Sequence, residues 1–281
     1  MARTKTWEIS AAFWELVEPL IPTDTRDPHK VYRRKRGGGR IPKYSNRLYF
    51  SAIVYVLRTG IIWNALSREK FEGLGSSALH QKFQQWAAAG LFEKLWQRGL
   101  AEYDELQGIS WEWQAADGSN LEAPLAQESV GPNPTDREKK GTKRHMLVDE
   151  LGVPLSLHVN AANRHDSVAL EPLLQTAVVQ PPATESSERN LCLDAGYVGK
   201  EETVRRYGFF PHIRPRGEEK KDIKNRPKYK ARRWVVELTH SWFNRFRKLL
   251  PRYEKTDRSY YALTALAAAM ITLNKVIAIY G

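Results

Sequence analysis

The stretch that decides the fold runs Ile109-Ser110-Trp111-Glu112-Trp113-Gln114-Ala115-Ala116-Asp117-Gly118. Upstream of it, apolar residues recur at helical spacing. Within it, apolar and polar residues alternate, which is typical of a β-strand. We therefore predict a strand that runs into residues 116–118 and places Asp117 at its end. The chain changes at this point from an all-helical region to an α/β domain.

The elements predicted after residue 109 are three strands, a helix, a strand, a helix, a strand and a long helix. The later strands are expected at residues 145–148, 153–159, 190–193 and 209–213, and residues 128–142 are expected to form a loop. This order predicts a mixed five-stranded sheet with flanking helices. Asp117 and Asp194 would both lie at strand ends, where open α/β sheets bind ligands.

Residues 1–108 are predicted to form a small, all-α, helix-turn-helix-like region, separate from a second domain at 109–281. Helical spacing indicates helices over residues 9–20, 45–59, 79–86 and 92–106, with serine caps at the second and third. On the helix over 79–86, the residues expected to face outward are His80, Gln81, Lys82, Gln84 and Gln85. A polar, amide-rich helix of this kind is compatible with DNA contact through His80 and Lys82.

Positive charge is concentrated in two segments. The chain carries 44 Lys and Arg against 32 Asp and Glu, a net charge of +12. Residues 29–43 contribute +7 and include Arg33, Arg34, Lys35, Arg36 and Arg40; residues 214–255 contribute +10. Such localised charge favours a polyanionic partner, nucleic acid first and acidic lipid as the alternative. The segment 24–43, with three consecutive glycines, is predicted to be a mobile basic arm that follows phosphates.

Composition argues against secretion and a membrane span. The single cysteine, Cys192, excludes a disulfide or a cysteine-based zinc site within one chain. The first residues lack the apolar core of a signal peptide, so we expect a cytoplasmic protein. Residues 260–280 are apolar and long enough to span a bilayer, which takes about 20 residues. Because Asn274 and Lys275 interrupt them and alanine dominates, we expect a helix packed on the sheet.

A third carboxylate comes from residues 232–250, which are predicted to form one helix. Its polar face would align Arg233, Glu237, Ser241, Asn244 and Lys248, opposite a buried stripe of Val236, Thr239, Phe243, Phe246 and Leu250. On an isolated helix, one acid among bases is usually a solvated ion pair. With Asp117 and Asp194, however, Glu237 completes the oxygen ligands that Mg²⁺ or Mn²⁺ prefers. Two such ions, about 3.5–4 Å apart, support in-line phosphoryl transfer.

Several blocks of sequence accompany these carboxylates. They are residues 55–63 (Tyr-Val-Leu-Arg-Thr-Gly-Ile-Ile-Trp), 83–86 (Phe-Gln-Gln-Trp), 116–119 (Ala-Asp-Gly-Ser), 141–145 (Gly-Thr-Lys-Arg-His), 162–167 (Ala-Asn-Arg-His-Asp-Ser), 194–197 (Asp-Ala-Gly-Tyr) and 233–237 (Arg-Trp-Val-Val-Glu). Through them the chain resembles, over nearly its whole length, the DDE transposases of bacterial insertion sequences, in the family-five group of the family-four-like superfamily.

The resemblance implies a ribonuclease-H-like catalytic domain with Asp117, Asp194 and Glu237 as the metal-binding triad. It implies two Mg²⁺ or Mn²⁺ ions, cleavage of double-stranded DNA at terminal inverted repeats, and transfer of the cut strand into target DNA. A bacterial, nucleoid-associated protein that forms a homodimer or larger assembly on two DNA ends is expected. The alternatives are a ribonuclease-H-like nuclease without strand transfer and a non-catalytic DNA-binding relative that acts as a repressor.

The superfamily's signature around the glutamate reads Tyr, two residues, Arg, three residues, Glu, six residues, Lys. Arg233 has the expected spacing from Glu237. Tyr229 lies one residue too far upstream, and Arg245 comes one residue late, with Asn244 in the expected place. DNA contacts by Tyr229, Arg233, Arg245 and Lys248 are implied by this comparison and by the charge of the segment.

Overall fold

The computed structural model describes residues 7–23, 29, 31, 33, 42–180, 189–213 and 234–280, and side chains as far as residue 276. Most of the predicted basic arm at 24–43 lies outside the described residues. The same is true of residues 214–233, which include Tyr229 and Arg233.

The region before the sheet is helical, as predicted. Its helices are α1 (Ala11–Val17), α2 (Asn46–Thr59), α3 (Ser76–Ala88) and α4 (Leu91–Leu106). The Ser45 hydroxyl caps α2 by accepting a hydrogen bond from the Leu48 amide at 3.1 Å, and Gly60 ends the helix with φ 74°. A side chain at Gly60 would also lie 2.8 Å from Cβ of Arg247, so glycine serves both conformation and packing there.

Helix α3 begins at Ser76, about one turn before the predicted start at residue 79. Gly75 is the N-cap, so Ser76 and Ser77 belong to the helix itself. Leu79, Phe83 and Trp86 are buried, as predicted. Three of the residues expected to face outward are half-buried, namely His80, Lys82 and Gln84. Burial of His80 follows from its contact with Trp63, whose ring centroid lies 5.1 Å away.

The fold is mixed α/β, which confirms the predicted class. Its strands are β1 (Trp113–Glu122), β2 (Gly131–Pro132), β3 (Lys140–Asp149), β4 (Pro154–Ala161), β5 (Asn190–Leu193) and β6 (Phe210–Ile213). Strand β3 pairs antiparallel with β1, β2 and β4, whereas β5 runs parallel to β1 and β6. The sheet therefore has six strands rather than the five predicted, because two residues of the expected loop pair with β3.

Strand β1 is longer than its sequence indicates. It continues past Asp117 to Glu122, so Asp117 lies within the strand and the predicted strand end was wrong. Gly118, Ser119 and Asn120 are residues typical of turns, yet β3 pairs with β1 as far as Gly141 opposite Glu122. A complete ladder of hydrogen bonds outweighs the weak strand propensity of these residues.

Helices cover the sheet. They are α5 (Asp166–Gln175), α6 (Glu201–Arg206), α7 (Trp234–Phe243) and α8 (Asp257–Tyr280). The helix expected over 232–250 stops at Phe243, and Lys248 falls in a separate 3₁₀ turn, Arg247–Leu249. Helix α5 is capped by His165, because its side chain accepts a hydrogen bond from the Ser167 amide.

One buried apolar cluster runs through the N-terminal helices, the sheet and α8. Helix α4 packs along α8, and Gly99 of α4 brings the two helices close, since a Cβ there would lie 3.4 Å from Leu273. The division at residues 108 and 109 remains a prediction. Among the described residues, α8 included, no helix is long and apolar enough to cross a membrane.

Candidate active site

The sheet register brings Asp117 and Asp194 together. In the parallel pair of β1 and β5, Trp113 lies opposite Asn190 and Ala115 opposite Cys192. Asp194 keeps an extended backbone, with φ −80° and ψ 177°. Asp117 and Asp194, which directly follows β5, each come two residues after Ala115 and Cys192 and extend from the same face of the sheet. Neighbouring strands are about 4.8 Å apart.

One oxygen of each aspartate is fixed by a nearby backbone amide. Asp117 Oδ1 accepts from the Gly118 amide at 2.8 Å, and Asp194 Oδ1 accepts from the Gly196 amide at 2.8 Å. A side chain at Gly196 would lie 2.9 Å from Asp194 Oδ1. Glycine is therefore required where the Asp194 carboxylate turns back on the chain.

Glu237 lies on α7, which packs across β1 and β3. Its side chain is exposed, whereas His240, one helical turn later, is buried and its ring interacts with the backbone of Asp117. Neither ring nitrogen of His240 has a partner at hydrogen-bonding geometry in the described structure, so this contact is looser than a hydrogen bond. Since residues three apart are neighbours on a helix, Glu237 lies on the side of α7 that approaches Asp117.

A cationic side chain beneath α7 holds the helix on the sheet. Arg144 of β3 is fully buried, and its guanidinium carbon lies 4.7 Å from the centroid of the Phe243 ring. Burial, and then the charge of Arg144, lowers the pKa of His240 to about 3. His240 is therefore neutral at neutral pH and acts as a packing residue beneath α7, beside the backbone of Asp117.

An ion pair lies beside Asp117 on the face of the sheet opposite α7. Lys143 Nζ lies 3.0 Å from Asp166 Oδ1, and His145 Nδ1 lies 3.9 Å from that oxygen. A side chain at Gly118 would lie 2.7 Å from His145 Nδ1 and 2.8 Å from Asp166 Oδ1. Burial lowers the pKa of His145 to about 4, so its ring is neutral and bonds Asn160 at 3.1 Å. These residues pack directly behind the backbone that follows Asp117.

The carboxylates of Asp117, Asp194 and Glu237 do not form a complete metal-binding site in the described structure. No group of three or more His, Cys, Asp or Glu side chains positioned to hold an ion occurs among the residues that the structure describes. The pairing of Asp117 with Asp194 is supported by the register, whereas Glu237 approaches from a separate helix. Carboxylate oxygens are the donors that a hard divalent cation prefers, so the chemistry of the set fits such an ion.

Two predicted DNA-contact residues, His80 and Lys248, line one cleft of about 770 Å³ between the start of α3 and the start of α8. Gln84 Nε2 donates to Ser259 Oγ at 2.9 Å and joins the two helices. The exposed cations at this cleft, here called the α3–α8 cleft, are Lys255 and Arg258. Lys255 belongs to a predicted basic segment, but Arg258 was missed because it lies beyond that segment.

Lys248 does not point outward from a helix, as was expected. It is 4% exposed, and its Nζ lies 3.5 Å from Glu254 Oε1, which also accepts from the Trp63 indole at 3.1 Å. The break after Phe243 causes this change, because it turns Lys248 and Leu249 into the core. The predicted alignment of Lys248 with Glu237 was therefore wrong.

Arg245 is exposed and borders a second cavity, of about 270 Å³, together with Arg58 and Lys275. Burial, and then the charge of Arg245, lowers the pKa of Arg58 to about 10. Neither Arg58 nor Lys275 stands out in the sequence, because α2 and α8 are separated from Arg245 along the chain. This cavity places three cations beside α7.

Of the remaining residues predicted to contact DNA, the structure describes Arg33 and Lys82. Arg33 is exposed, and Lys82 is half-buried with its Nζ 5.6 Å from the centroid of the Tyr49 ring. Tyr229, Arg233, Arg34, Lys35, Arg36 and Arg40 lie outside the described residues. Trp234, the first residue of α7, is 56% exposed.

Comparison with known families identifies the chain. Residues 114–272 match the family described as "Transposase DDE domain", and residues 9–96 match the family described as "Putative transposase of IS4/5 family". The first match covers more than half of the chain and contains Asp117, Asp194 and Glu237. The chain belongs to the DDE transposases of insertion sequences, enzymes that cut and transfer DNA strands, which confirms the resemblance seen in its motifs.

Two relatives come from Burkholderia cepacia. The chain is 34% identical over 155 residues to "Putative transposase for insertion sequence element IS402", covering 52% of this chain and 69% of the relative. It is 33% identical over 126 residues to "Insertion element IS402 uncharacterized 16.2 kDa protein", covering 45% and 80% respectively. A solved structure titled "Crystal structure of a pre-cleavage Mos1 transpososome" matches 86% of this chain and 82% of its own at 10% identity, with a TM-score of 0.28, too low to support an argument.

Proposed function

We propose that this transposase cleaves DNA at the terminal inverted repeats of its element and transfers the cut strand into target DNA, with Asp117, Asp194 and Glu237 as the catalytic residues. The observation that carries the assignment is the register of β1 and β5, which sets Asp117 beside Asp194. The contact of His240 with the backbone of Asp117 supports including Glu237, which lies one helical turn earlier on α7.

The three carboxylates would hold divalent metal, two Mg²⁺ or Mn²⁺ ions in this proposal. Bound metal would activate the attacking oxygen and stabilise the leaving oxygen of the phosphodiester. Asp117 and Asp194 present oxygens from a rigid sheet, with Oδ1 of each already oriented by a backbone amide. Glu237 brings its carboxylate from α7, whose position depends on the buried His240 and Phe243.

DNA would be held by the cations of two cavities. The α3–α8 cleft supplies Lys255 and Arg258, and the cavity beside α7 supplies Arg58, Arg245 and Lys275. Arg233, Tyr229 and the basic residues of the arm belong to the same proposal through the sequence alone. A homodimer or larger assembly on paired ends, in the bacterial cytoplasm, completes it; light scattering of the complex with end DNA would measure the assembly.

The test replaces each carboxylate with its amide, as Asp117→Asn, Asp194→Asn and Glu237→Gln. Each change should lower Mg²⁺-dependent cleavage by roughly a thousandfold or more, as expected for members of one catalytic unit. DNA affinity, measured by gel shift, should stay within a few-fold because the cations are untouched. Glu202→Gln, an exposed acid on α6, is the matched control. Full activity of Glu237→Gln would exclude its catalytic role.

Strand transfer is measured separately, with pre-cut ends and target DNA. Joined product that depends on Asp117 supports the transposase mechanism. Cleavage without joining would favour a nuclease, and Mg²⁺-independent binding without nicking would favour a repressor.

A further inference from the structure

Tyr197 is a buried tyrosine whose hydroxyl lacks a partner. It ends the 3₁₀ turn Ala195–Tyr197, three residues after Asp194, and its amide donates to the Asp194 carbonyl at 3.1 Å. The side chain is fully buried, and its hydroxyl makes no hydrogen bond within the described structure. Buried tyrosine hydroxyls usually find an acceptor, so an unsatisfied one next to a catalytic residue requires a reason.

The surroundings of this hydroxyl are acidic. Burial raises the pKa of Tyr197 well above its ordinary value of 10.0, and the charges of Asp166, Asp117 and Asp194 raise it further. The hydroxyl therefore keeps its proton and can act only as a donor toward these carboxylates. The charges of both metal-binding aspartates proposed above therefore act on this hydroxyl.

Asp166 is held in place by Lys143. Lys143 Nζ, itself in a side chain only 10% exposed, lies 3.0 Å from Asp166 Oδ1 and also donates to the Arg164 carbonyl at 3.0 Å. Gly118 has no side chain to separate this pair from Asp117, since a Cβ would lie 2.8 Å from Asp166 Oδ1. The ion pair therefore adjoins the backbone next to Asp117, and Asp166 is one of the three carboxylates whose charges act on Tyr197.

We propose that Tyr197 is a positioning residue for the metal-binding carboxylates. Its hydroxyl donates a hydrogen bond into the Asp117–Asp194 pair when a divalent ion is held there. The inference rests on the proposed function. Hydrogen bonds to ligating carboxylates orient them, and their loss typically lowers metal affinity about 10- to 100-fold.

Tyr197→Phe tests this directly, because it removes one buried oxygen and keeps the ring. We expect Mn²⁺ affinity of the full chain without DNA, measured by electron paramagnetic resonance, to fall about 10- to 100-fold. The Mg²⁺ concentration for half-maximal cleavage should rise by the same factor. The thermal midpoint should not fall, since the lost hydroxyl has no partner in the described structure.

Tyr103→Phe is the matched control. Tyr103 is also fully buried, and its hydroxyl donates to Asp149 Oδ2 at 3.2 Å, away from the catalytic edge. This variant should lose stability and keep the Mn²⁺ affinity of the original protein. Asp166→Asn, a second variant of the cluster, should weaken Mn²⁺ binding in the same direction as Tyr197→Phe.

The outcomes separate the two proposals. If Asp117→Asn abolishes Mn²⁺ binding and cleavage while Tyr197→Phe binds Mn²⁺ as tightly as the original protein, the role of Tyr197 is excluded and the catalytic assignment stands. If Asp117→Asn still binds Mn²⁺ and cleaves DNA, the catalytic assignment itself fails, whatever Tyr197→Phe does.

Discussion

Asp149 is a fully buried acid at the end of β3. Its Oδ1 accepts from the amides of Leu151 at 3.0 Å and Val153 at 2.8 Å, and its Oδ2 accepts from Tyr103. Asp149 begins a turn that Gly152, with φ 80°, completes. Burial nevertheless dominates: it raises the pKa of Asp149 from 3.8 to about 6.

This shift predicts a pH-dependent stability. The folded protein binds the Asp149 proton more tightly than the unfolded chain, so the stabilisation is present below pH 3.8 and is lost as the pH rises through about 6. At 1.36 kcal/mol per pKa unit, the loss is about 3 kcal/mol. Relative to Asp149→Asn, the free energy of unfolding should therefore fall by about 2–3 kcal/mol between pH 4 and pH 7.

Urea denaturation at the two pH values measures this difference in the free energy of unfolding. Because the original protein is compared with Asp149→Asn, the contribution of histidine titration cancels. Glu150→Gln, the next acid in the same turn and an exposed one, is the control and should show little change. A stability difference between the original protein and Asp149→Asn that does not vary with pH would contradict the prediction.

The packing of α4 against α8 joins the helical region to the catalytic domain. Gly99 lies within α4. A Cβ at this position would lie 3.4 Å from Leu273 Cγ and 3.7 Å from Thr272 Cγ2. Alanine on α8, including Ala265 and Ala269, keeps that helix narrow and fully buried along its middle. Small residues at such a crossing set the distance between the helices.

Gly99→Leu should separate these helices. Overpacking a buried site costs about 1–3 kcal/mol, which exceeds the gain of about 0.8 kcal/mol from replacing a helical glycine. The expected result is a lower urea midpoint. Arg98→Leu places the same side chain on the exposed neighbouring position and should leave the midpoint nearly unchanged. Equal stability of both variants would show that the crossing tolerates the extra volume.

At the scale of the whole molecule, the fold collects cations from distant segments. Lys255 and Arg258 meet α3 in the α3–α8 cleft, and Arg58, Arg245 and Lys275 meet beside α7. Clefts lined by one sign of charge attract a polyanion and raise its local concentration. Four of these cations belong to the segment 109–281, which also contains the proposed catalytic carboxylates, whereas Arg58 comes from α2.

The double variant Lys255→Gln/Arg258→Gln tests the α3–α8 cleft. If both cations contact phosphates, the slope of log affinity against log salt should become less steep by about 2. Fluorescence anisotropy with end DNA at several salt concentrations measures the slope. The control, Lys94→Gln/Arg98→Gln, removes two exposed cations of α4 and should leave the slope unchanged. An unchanged slope for the cleft variant would place DNA elsewhere.

Local features of this protein could be read from its sequence. The Ser45 cap, the Gly60 stop and the strand Asn190–Leu193 depend on residues a few positions apart, so their patterns predicted them correctly. The change from helices to an α/β domain followed from hydrophobic periodicity. The family also followed, because its motifs are short blocks that keep their spacing whatever the rest of the chain does.

The tertiary structure decided what depends on partners far along the chain. Pairing with β3 carried β1 past Asp117, and packing of Leu249 in the core broke the helix after Phe243 and buried Lys248. The carboxylates whose charges act on Tyr197 are Asp117 of β1, Asp194 after β5 and Asp166 of α5. They come from three separate segments, so no local pattern shows them together. Hydrogen-bond ladders and burial are long-range interactions, and they outweigh the small preferences that a sequence window records.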